Sequence, residues 1–321
     1  MSFHVLVPDN VHQKAIDILR NCDRIRVSAP GKLERPALLD AVADAHAIII
    51  RSGVRADAEL IEVASQLKAI ARAGVGVDNV DLAAASAAGI VVMNTPGGNT
   101  ISTAEHSFGL MIALSRHIPQ GHQSLLEGRW DRKAFTGVEL KGKTLGIIGL
   151  GRIGGAIATR AGAFEMNVIA HDPYLPPQVA AEINVPLLEL SEVYANSDYL
   201  TLHALVTDDT RGMINAESIA MMKDGIRIVN AARGALINSA DLAAALSSGV
   251  VAGAALDVFE DEPPPADHPL IGHPRVIHTP HLAASTSDAQ VTVAVEAAQL
   301  IVDFLLDGVA ANVCNPEVMA G

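Results

Sequence analysis

The segment TLGIIGLGRIGGAIATRAG, residues 144–162, decides the fold class. It begins as an apolar strand candidate, continues with Gly149, Gly151 and Gly154 in G-x-G-x-x-G spacing, and ends as an alanine-rich helix candidate. In this arrangement the first glycine allows a tight turn, the second lets the backbone approach a pyrophosphate, and the third lets helix and strand pack closely. Free N–H groups at the helix N-terminus attract phosphate oxygens. The functional interpretation is a dinucleotide-binding turn, and the alternative is an ordinary glycine-rich turn.

The next strand candidate, NVIAHDP at 167–173, adds a second indication of a dinucleotide. Its Asp172 lies about 20 residues beyond the glycines, where a carboxylate accepts hydrogen bonds from ribose hydroxyls and repels a 2′-phosphate. We therefore predict NAD, not NADP, as the cofactor. Taken alone, Asp172 before Pro173 is also a typical turn residue.

Strand and helix candidates alternate along most of the chain. In the first part we predict strands at 4–8, 24–27, 47–51, 68–71 and 90–93, separated by helices at 11–21, 36–45, 57–65 and 81–88. A long helix candidate at 100–117 and an irregular segment at 124–143 follow. Strands at 144–148, 167–170, 199–203, 226–230, 251–256 and 276–279 then precede a last helix at 288–306. This alternation predicts two α/β domains, each a doubly wound parallel sheet.

Composition narrows the class of protein. Acidic residues outnumber basic ones 36 to 23, and the net charge of −13 disfavours binding to nucleic acid. The chain has two cysteines, too few for a disulfide scaffold. The first residues, MSFHVLVPDN, lack the pattern of a signal peptide, and no window of 18 uninterrupted apolar residues indicates a membrane span. We expect a soluble, cytoplasmic protein of two domains.

Three residues after predicted strands have side chains suited to chemistry on a hydroxy acid: Arg233, Glu262 and His281. Ligands of open α/β sheets bind at the carboxyl ends of strands, so these residues could share one crevice. An arginine can hold a carboxylate, a histidine can exchange a proton, and a carboxylate can stabilise the protonated histidine. The alternatives are a structural ion pair for Arg233, a solvated loop position for Glu262, and a metal pair of His278 with His281, which lacks a third ligand.

Four segments, GLGRIGGAIATR (149–160), NAARGALI (230–237), ALDVFEDEPPP (255–265) and TPHLAAST (279–286), resemble the D-isomer-specific 2-hydroxyacid dehydrogenases. ARAGVGVDNVD (71–81) and MNTPGGNTISTAEH (93–106) extend the resemblance over nearly the whole chain. It implies a Rossmann NAD domain, residues 99–284, inserted into a discontinuous flavodoxin-like substrate domain, residues 1–98 and 285–321. It also implies a homodimer or homotetramer, formed through the long helix after Asn99 and the segment around Trp130.

The resemblance also implies roles for individual residues. Arg233, Glu262 and His281 match the catalytic arginine, glutamate and histidine of the family, and no metal is expected. The positions expected to bind the cofactor are Gly149, Gly151, Arg152, Ile153, Gly154, Asp172, His203, Ala204, Leu205, Thr210, Ala231, Asp257, Ala283 and Ala284, with Asp257 at the nicotinamide carboxamide. The positions expected to bind substrate are Arg51, Ser52, Arg72, Gly74, Val75 and Asn99, partly through backbone N–H groups.

Two positions depart from the family pattern, and the end of the sequence differs from some members. Leu205 replaces a common proline, and Ala283 replaces a common glycine beside His281. The sequence ends at Gly321 without the domains that bind serine in some members, so we expect no serine feedback by that route.

Three functions are compatible with these features. The first is NAD-dependent oxidation of 3-phosphoglycerate, the first step of serine biosynthesis, with Arg51, Arg72 and the pair Arg132–Lys133 as positive groups near the phosphate. The second is oxidation or reduction of another small acid: glyoxylate, hydroxypyruvate, D-lactate or sulfolactate. The third is an NAD-sensing co-repressor, which the acidic charge and the lack of basic tails disfavour.

Overall fold

Short apolar strands and the helices between them organise the chain into two units. The computed structural model describes residues 2–320. The first unit comprises Met1–Asn99 and Ser285–Gly321, and the second comprises Thr100–Ala284. The predicted division differs from this one only at Asn99, which the structure assigns to the first unit.

The strands and helices follow the alternation expected from the sequence. The strands are β1 Phe3–Leu6, β2 Ile25–Ser28, β3 Ala47–Ile50, β4 Ala69–Arg72, β5 Val91–Asn94, β6 Thr144–Ile148, β7 Asn167–His171, β8 Tyr199–Leu202, β9 Ile226–Asn230, β10 Val251–Leu256 and β11 Val276–His278. The helices are α1 Gln13–Arg20, α2 Arg35–Val42, α3 Ala58–Val63, α4 Leu82–Ala87, α5 Thr100–Arg116, α6 Ile118–Leu126, α7 Arg152–Ala163, α8 Pro177–Glu182, α9 Leu190–Asn196, α10 Ala216–Ala220, α11 Ser239–Ser248 and α12 Ser287–Asp307. Short 3-10 helices lie at Gly234–Leu236 and Pro316–Ala320.

The first unit is a five-stranded parallel sheet in the order β2-β1-β3-β4-β5, the flavodoxin-like order that was predicted. Both faces of this sheet are covered. Ile49 and Ala71 point to a core shared with α1 and α12, while Ile48 and Ile70 point to a core shared with α2 and α3. Burial on both faces explains why these strands are apolar runs without polar alternation.

Helix α12 is long and apolar enough to cross a membrane, judged by length and composition alone. Half of its most apolar stretch is buried, however, and Val293, Ala297 and Ile301 lie in the core of the first unit. Packing in that core accounts for the apolar face of α12 without a membrane.

The second unit is a six-stranded parallel sheet in the order β11-β10-β9-β8-β6-β7. Strand β6 pairs with β7 on one side and β8 on the other, so the direction of winding reverses at β6. Open α/β sheets bind ligands in the crevice that such a reversal creates at the carboxyl ends of the strands. The fold confirms the prediction of two doubly wound parallel sheets and locates the crevice next to the glycine motif.

The structure corrects the prediction for the segment after the long helix. Helix α5 ends at Arg116, because His117 adopts a left-handed conformation with φ 51°, and α6 begins at the next residue. Pro119 lies in the first turn of α6, where its fixed φ and missing N–H are tolerated. The irregular segment therefore begins after α6 and not within it.

Candidate functional site

The three chemistry-bearing residues follow three strands that are neighbours in the second sheet. Arg233 follows β9, Glu262 follows β10 and His281 follows β11. Because all strands of this sheet are parallel, the three loops leave from the same edge. The predicted convergence at the carboxyl ends is thus a consequence of strand order.

His281 and Glu262 form a hydrogen-bonded pair. The imidazole Nδ1 lies 2.6 Å from Oε2 of Glu262, and the other carboxylate oxygen, Oε1, accepts a hydrogen bond from the backbone N–H of Phe259 at 3.1 Å. An ionised carboxylate can accept hydrogen bonds but cannot donate them, so Nδ1 carries the proton of this contact. Nε2 is then the atom that can exchange a proton with a ligand. The pairing does not fit the alternative of a merely solvated Glu262.

A buried asparagine shapes the turn that carries Arg233. Asn230, the last residue of β9, is completely buried. Its Oδ1 accepts a hydrogen bond from the N–H of Ala232 at 3.0 Å, and its Nδ2 donates to the carbonyl of Arg233 at 2.9 Å. The Arg233 guanidinium is partly exposed, with Nη1 donating to the carbonyl of Ala232 at 2.7 Å. Asn230 thereby fixes the backbone from which Arg233 extends.

Gly234 brings the arginine turn against the loop of Glu262. A Cβ atom at Gly234 would lie 1.9 Å from the carbonyl carbon and 2.3 Å from the carbonyl oxygen of Phe259. Both atoms belong to the backbone, so no side-chain rotation can make room. Glycine at 234 is therefore required for the close approach of the Arg233 turn to Phe259, whose N–H holds Glu262.

Asp257 anchors the loop that carries His281. Its side chain is fully buried, and its oxygens accept hydrogen bonds from the hydroxyl of Thr279 at 2.5 Å and the N–H groups of Leu282 and Ala283 at 2.7 and 2.8 Å. Burial alone would raise the pKa of Asp257, but the hydrogen bonds from His106, Thr279 and the two amides outweigh burial and hold that pKa below its usual range. The Asp257 oxygens already accept hydrogen bonds from four protein donors. Contact of Asp257 with a nicotinamide carboxamide stays a prediction.

A cavity of about 380 Å³ lies beside the histidine–glutamate pair. Pro263, Pro264 and Ile271 supply much of its apolar wall, and Glu262 and His281 line its polar part. His278 also lines the cavity, but its Nε2 donates to the carbonyl of Leu270 at 2.6 Å. This contact gives His278 a structural partner and does not favour the alternative of a metal pair with His281.

The glycine turn after β6 has the features that a dinucleotide requires. Gly149 has φ +89°, and a Cβ there would lie 2.6 Å from the carbonyl oxygen of His203. A Cβ at Gly154 would lie 2.2 Å from the carbonyl oxygen of Gly149, whereas a Cβ at Gly151 would meet no atom within 4 Å. Gly151 is the N-cap of α7, and no side chain caps this helix end, where Arg152 and Ile153 begin the first turn. An open helix N-terminus beside a glycine fits a pyrophosphate.

Asp172 stabilises this same turn. Its Oδ2 accepts a hydrogen bond from the N–H of Leu150 at 2.9 Å, and its Oδ1 accepts from the N–H groups of Tyr174 and Leu175 at 3.0 and 3.1 Å. The residue is thus both a turn former and a support of the glycine loop. Its contact with a ribose stays a prediction.

Two polar side chains of the loop after β8 form hydrogen bonds within the same stretch of chain. His203 is partly buried, with Nε2 at 2.8 Å from the hydroxyl of Thr201. Desolvation of the ring lowers the pKa of His203 to about 3, so this imidazole is neutral. The hydroxyl of Thr210 donates to the carbonyl of Leu205 at 2.6 Å. Leu205 itself is exposed, so the missing proline changes a surface position and not the core. Ala204, Ala231 and Ala283 pack inward, and Ala284 is half-buried.

The turn after β3 carries Arg51 and Ser52, whose contact with a substrate stays a prediction. The N–H of Arg51 donates to Oδ2 of Asp9 at 2.9 Å. The N–H of Gly53 donates to the same oxygen at 3.0 Å. The buried carboxylate of Asp9, in the loop after β1, therefore accepts hydrogen bonds from two amides of this turn. Ser52 is exposed at its tip.

The other expected substrate positions lie at the carboxyl ends of β4 and β5. The carbonyls of Gly74 and Val75 accept hydrogen bonds from the N–H of Thr95 and from Nδ2 of Asn94. The Arg72 guanidinium lies over Gly74, where a Cβ would be 1.4 Å from Nη1. The Arg72 side chain can take this position only because residue 74 is a glycine. Asn99 is the last residue of the N-terminal segment of the first unit.

Sequence reasoning missed several supporting residues. Asn230, Thr279 and His106 hold the loops of Arg233 and His281, and Asp9 fills the turn at Arg51. Asn230 ends β9 and Thr279 follows β11. A polar residue at the end of a buried strand was the signal that could have identified both. Nothing local distinguishes His106 from other polar residues of a helix.

Comparison with known proteins places these features in context. Residues 108–283 match the model of the family described as D-isomer specific 2-hydroxyacid dehydrogenase, NAD binding domain. The chain is 48% identical over 300 residues to a D-3-phosphoglycerate dehydrogenase of Archaeoglobus fulgidus and 45% identical over 305 residues to one of Bacillus subtilis, covering 94% of this chain in each case. It spans 57% of the length of each of these relatives. The crystal structure of a glyoxylate reductase from Paecilomyes thermophila superimposes with a TM-score of 0.88 at 31% identity and 98% coverage of both chains.

Replacing Gly234 with alanine tests the packing of the arginine turn on the glutamate loop. We expect Gly234→Ala to lower the free energy of unfolding by about 1–3 kcal/mol, because the new methyl group overlaps backbone atoms of Phe259. Urea denaturation measures the change. Gly162→Ala, near the end of α7 with open space around it, is the matched control and should not destabilise. Equal stability of Gly234→Ala and the wild type would contradict the packing.

Proposed function

Because the chain belongs to the D-isomer-specific 2-hydroxyacid dehydrogenase family, we propose that it is an NAD-dependent dehydrogenase that oxidises D-3-phosphoglycerate at C2 in the cytoplasm. The observation that carries the proposal is the contact of His281 with Glu262 on the sheet edge that also carries Arg233. Similarity to two D-3-phosphoglycerate dehydrogenases supports the choice of substrate. The proposal concerns this chain alone, since those relatives are longer.

In this proposal each of the three side chains has a defined role. Arg233 holds the substrate carboxylate and polarises the C2 oxygen, which suits the planar, doubly donating guanidinium. His281 takes the proton of the C2 hydroxyl at Nε2, because Nδ1 already donates to Glu262. Glu262 stays ionised and stabilises the imidazolium that forms, and His281 returns to the neutral imidazole when it releases the proton. In the reverse direction His281 donates the same proton.

The glycine turn, the open end of α7 and Asp172 are the residues that would hold the cofactor. When bound, NAD supplies the acceptor for the hydride from C2. Asp172 favours NAD over NADP, because a carboxylate at the end of β7 repels a 2′-phosphate.

Formation of NADH from a panel of acids tests the function. We expect turnover of D-3-phosphoglycerate with NAD to exceed turnover of glycolate, D-glycerate, D-lactate and sulfolactate, which are the reduced forms of the competing substrates. We also expect it to exceed turnover with NADP by about tenfold or more, a preference of about 1.4 kcal/mol. Absorbance of the reduced cofactor is the measurement. Equal rates with NAD and NADP would contradict the proposed role of Asp172. Absence of turnover with every D-2-hydroxy acid would contradict the proposed function.

The Glu262→Gln variant tests the histidine–glutamate pair. Glutamine can still accept from Nδ1 but no longer stabilises the imidazolium by charge. Without that charge the transfer of the proton is less favourable, and kcat of keto-acid reduction should fall about tenfold, as expected for the loss of one charge-assisted contact. His281→Ala should abolish turnover, whereas Glu260→Gln, an exposed residue of the same acidic run, serves as the control. Wild-type kcat in Glu262→Gln would contradict the proposed role of the Glu262 charge.

Positive charge at the end of β4 is the basis for phosphate selectivity. Gly74 leaves room for the Arg72 guanidinium, which lies over it. We expect Arg72→Ala to lower kcat/KM on 3-phosphoglycerate by about ten- to hundredfold, the equivalent of one charge-assisted contact, and to spare unphosphorylated acids. Arg55→Ala, an exposed arginine of the same unit, is the control. A uniform loss on all substrates would assign Arg72 a structural role instead. Arg132 and Lys133 are exposed and form the next pair to test.

The resemblance to the glyoxylate reductase structure favours a second candidate, reduction of glyoxylate or hydroxypyruvate. The roles of Arg233, Glu262 and His281 would be unchanged, because every candidate substrate carries the same carboxylate and C2 oxygen. Preference for an unphosphorylated acid in the panel would select this candidate.

We also infer that the chain forms a homodimer through α6 and the segment that follows. Ile118, Leu125, Leu126 and Trp130 are exposed there, with 76% of Trp130 accessible. Apolar side chains clustered on a surface favour association. Sedimentation at micromolar concentration should give a dimer or tetramer, and a monomer would contradict the inference.

A further inference from the structure

The loop of His281 depends on groups that lie beneath it. Within the second unit, the backbone N–H of His281 donates to the carbonyl of Asp257 at 2.8 Å, and the carboxylate of Asp257 receives the next two amides. His281 itself has φ 54°, a left-handed conformation that is costly for a residue with a side chain. Such a conformation persists only where surrounding contacts impose it. Asp257 supplies those contacts on one side of the loop.

Helix α5 supplies a further contact through His106. The Nε2 atom of His106 lies 3.1 Å from the hydroxyl oxygen of Thr279 and 3.3 Å from Oδ1 of Asp257. The Thr279 hydroxyl donates its only proton to Asp257, so its oxygen must accept from His106. His106 therefore carries a proton on Nε2 and completes the shell of donors around the buried carboxylate.

We propose that His106 is a positioning residue for His281, acting through Thr279 and Asp257. Its Nε2–H fixes the Thr279 hydroxyl, which leaves Asp257 oriented to receive the amides of Leu282 and Ala283. The assignment rests on the proposed function for the meaning of His281, but the contacts themselves are independent of any substrate. His106 touches neither Glu262 nor the imidazole of His281 in the described contacts, so its effect on chemistry is indirect.

Removing the donor should loosen the loop, and keeping a donor should preserve it. His106→Leu removes Nε2–H with similar bulk, whereas His106→Gln offers an amide N–H at a comparable distance from the backbone. Lys14→Leu, which places leucine at an exposed polar position of α1, is the control. Thr279→Val removes the hydroxyl from the other end of the same link and provides a second variant if His106→Leu does not fold.

Hydrogen exchange of the protein without cofactor or substrate is the first measurement. We expect the amides of Leu282 and Ala283 to exchange about tenfold faster in His106→Leu and in Thr279→Val, and to remain within about threefold of wild type in His106→Gln. The second measurement is steady-state turnover of D-3-phosphoglycerate with NAD. There we expect His106→Leu to lower kcat about tenfold with KM values within about twofold, and His106→Gln to recover most of kcat.

Two results would overturn the assignment. Wild-type exchange at Leu282 and Ala283 in His106→Leu shows that the loop does not depend on His106. Equal losses in the leucine and glutamine variants show that the imidazole acts by shape and not as a donor. If the wild type reduces no NAD with any D-2-hydroxy acid, the proposed function fails, and the exchange pattern alone decides the role of His106 in holding the loop.

Discussion

One buried carboxylate, that of Asp257, is the interaction on which the candidate site depends. A charge without solvent contact is costly unless hydrogen-bond donors surround it. Asp257 meets this requirement with Thr279, His106 and the amides of Leu282 and Ala283, all of which belong to or support the loop of His281. The need to satisfy one charge therefore fixes the position of the histidine. The same loop geometry sets His281 against Glu262.

The parallel sheet provides the second constraint, because it sends every strand end to one edge. That arrangement was predictable from sequence: β-branched runs alternated with helix candidates, and Arg233, Glu262 and His281 each followed a run. The glycine spacing at 149–154 was equally predictive, since a tight turn, an open backbone and a close packing contact each exclude side chains. At these three positions the local chemistry and the fold both favour glycine.

The supporting contacts were not predictable, because they join residues that are distant in sequence. His106 meets Thr279 only after α5 packs on the sheet, and Asp9 meets the amides of Arg51 and Gly53 only after β1 and β3 pair. Binding of substrate by Arg51 stays a prediction, and the bond between its amide and Asp9 had no signal in the sequence. Helix α6 was also missed, since the left-handed His117 that separates it from α5 has no signature as distinct as glycine.

The central claim is that the residues at this sheet edge promote hydride transfer from C2 of a D-2-hydroxy acid to NAD. Transfer of deuterium from substrate to cofactor tests this claim most directly. D-3-phosphoglycerate labelled with deuterium at C2 is incubated with the protein and NAD, and the reduced cofactor is analysed by mass spectrometry. We expect one deuterium in each NADH formed from the D enantiomer and no NADH from the L enantiomer. Unlabelled NADH, or equal labelling from both enantiomers, would contradict the claim.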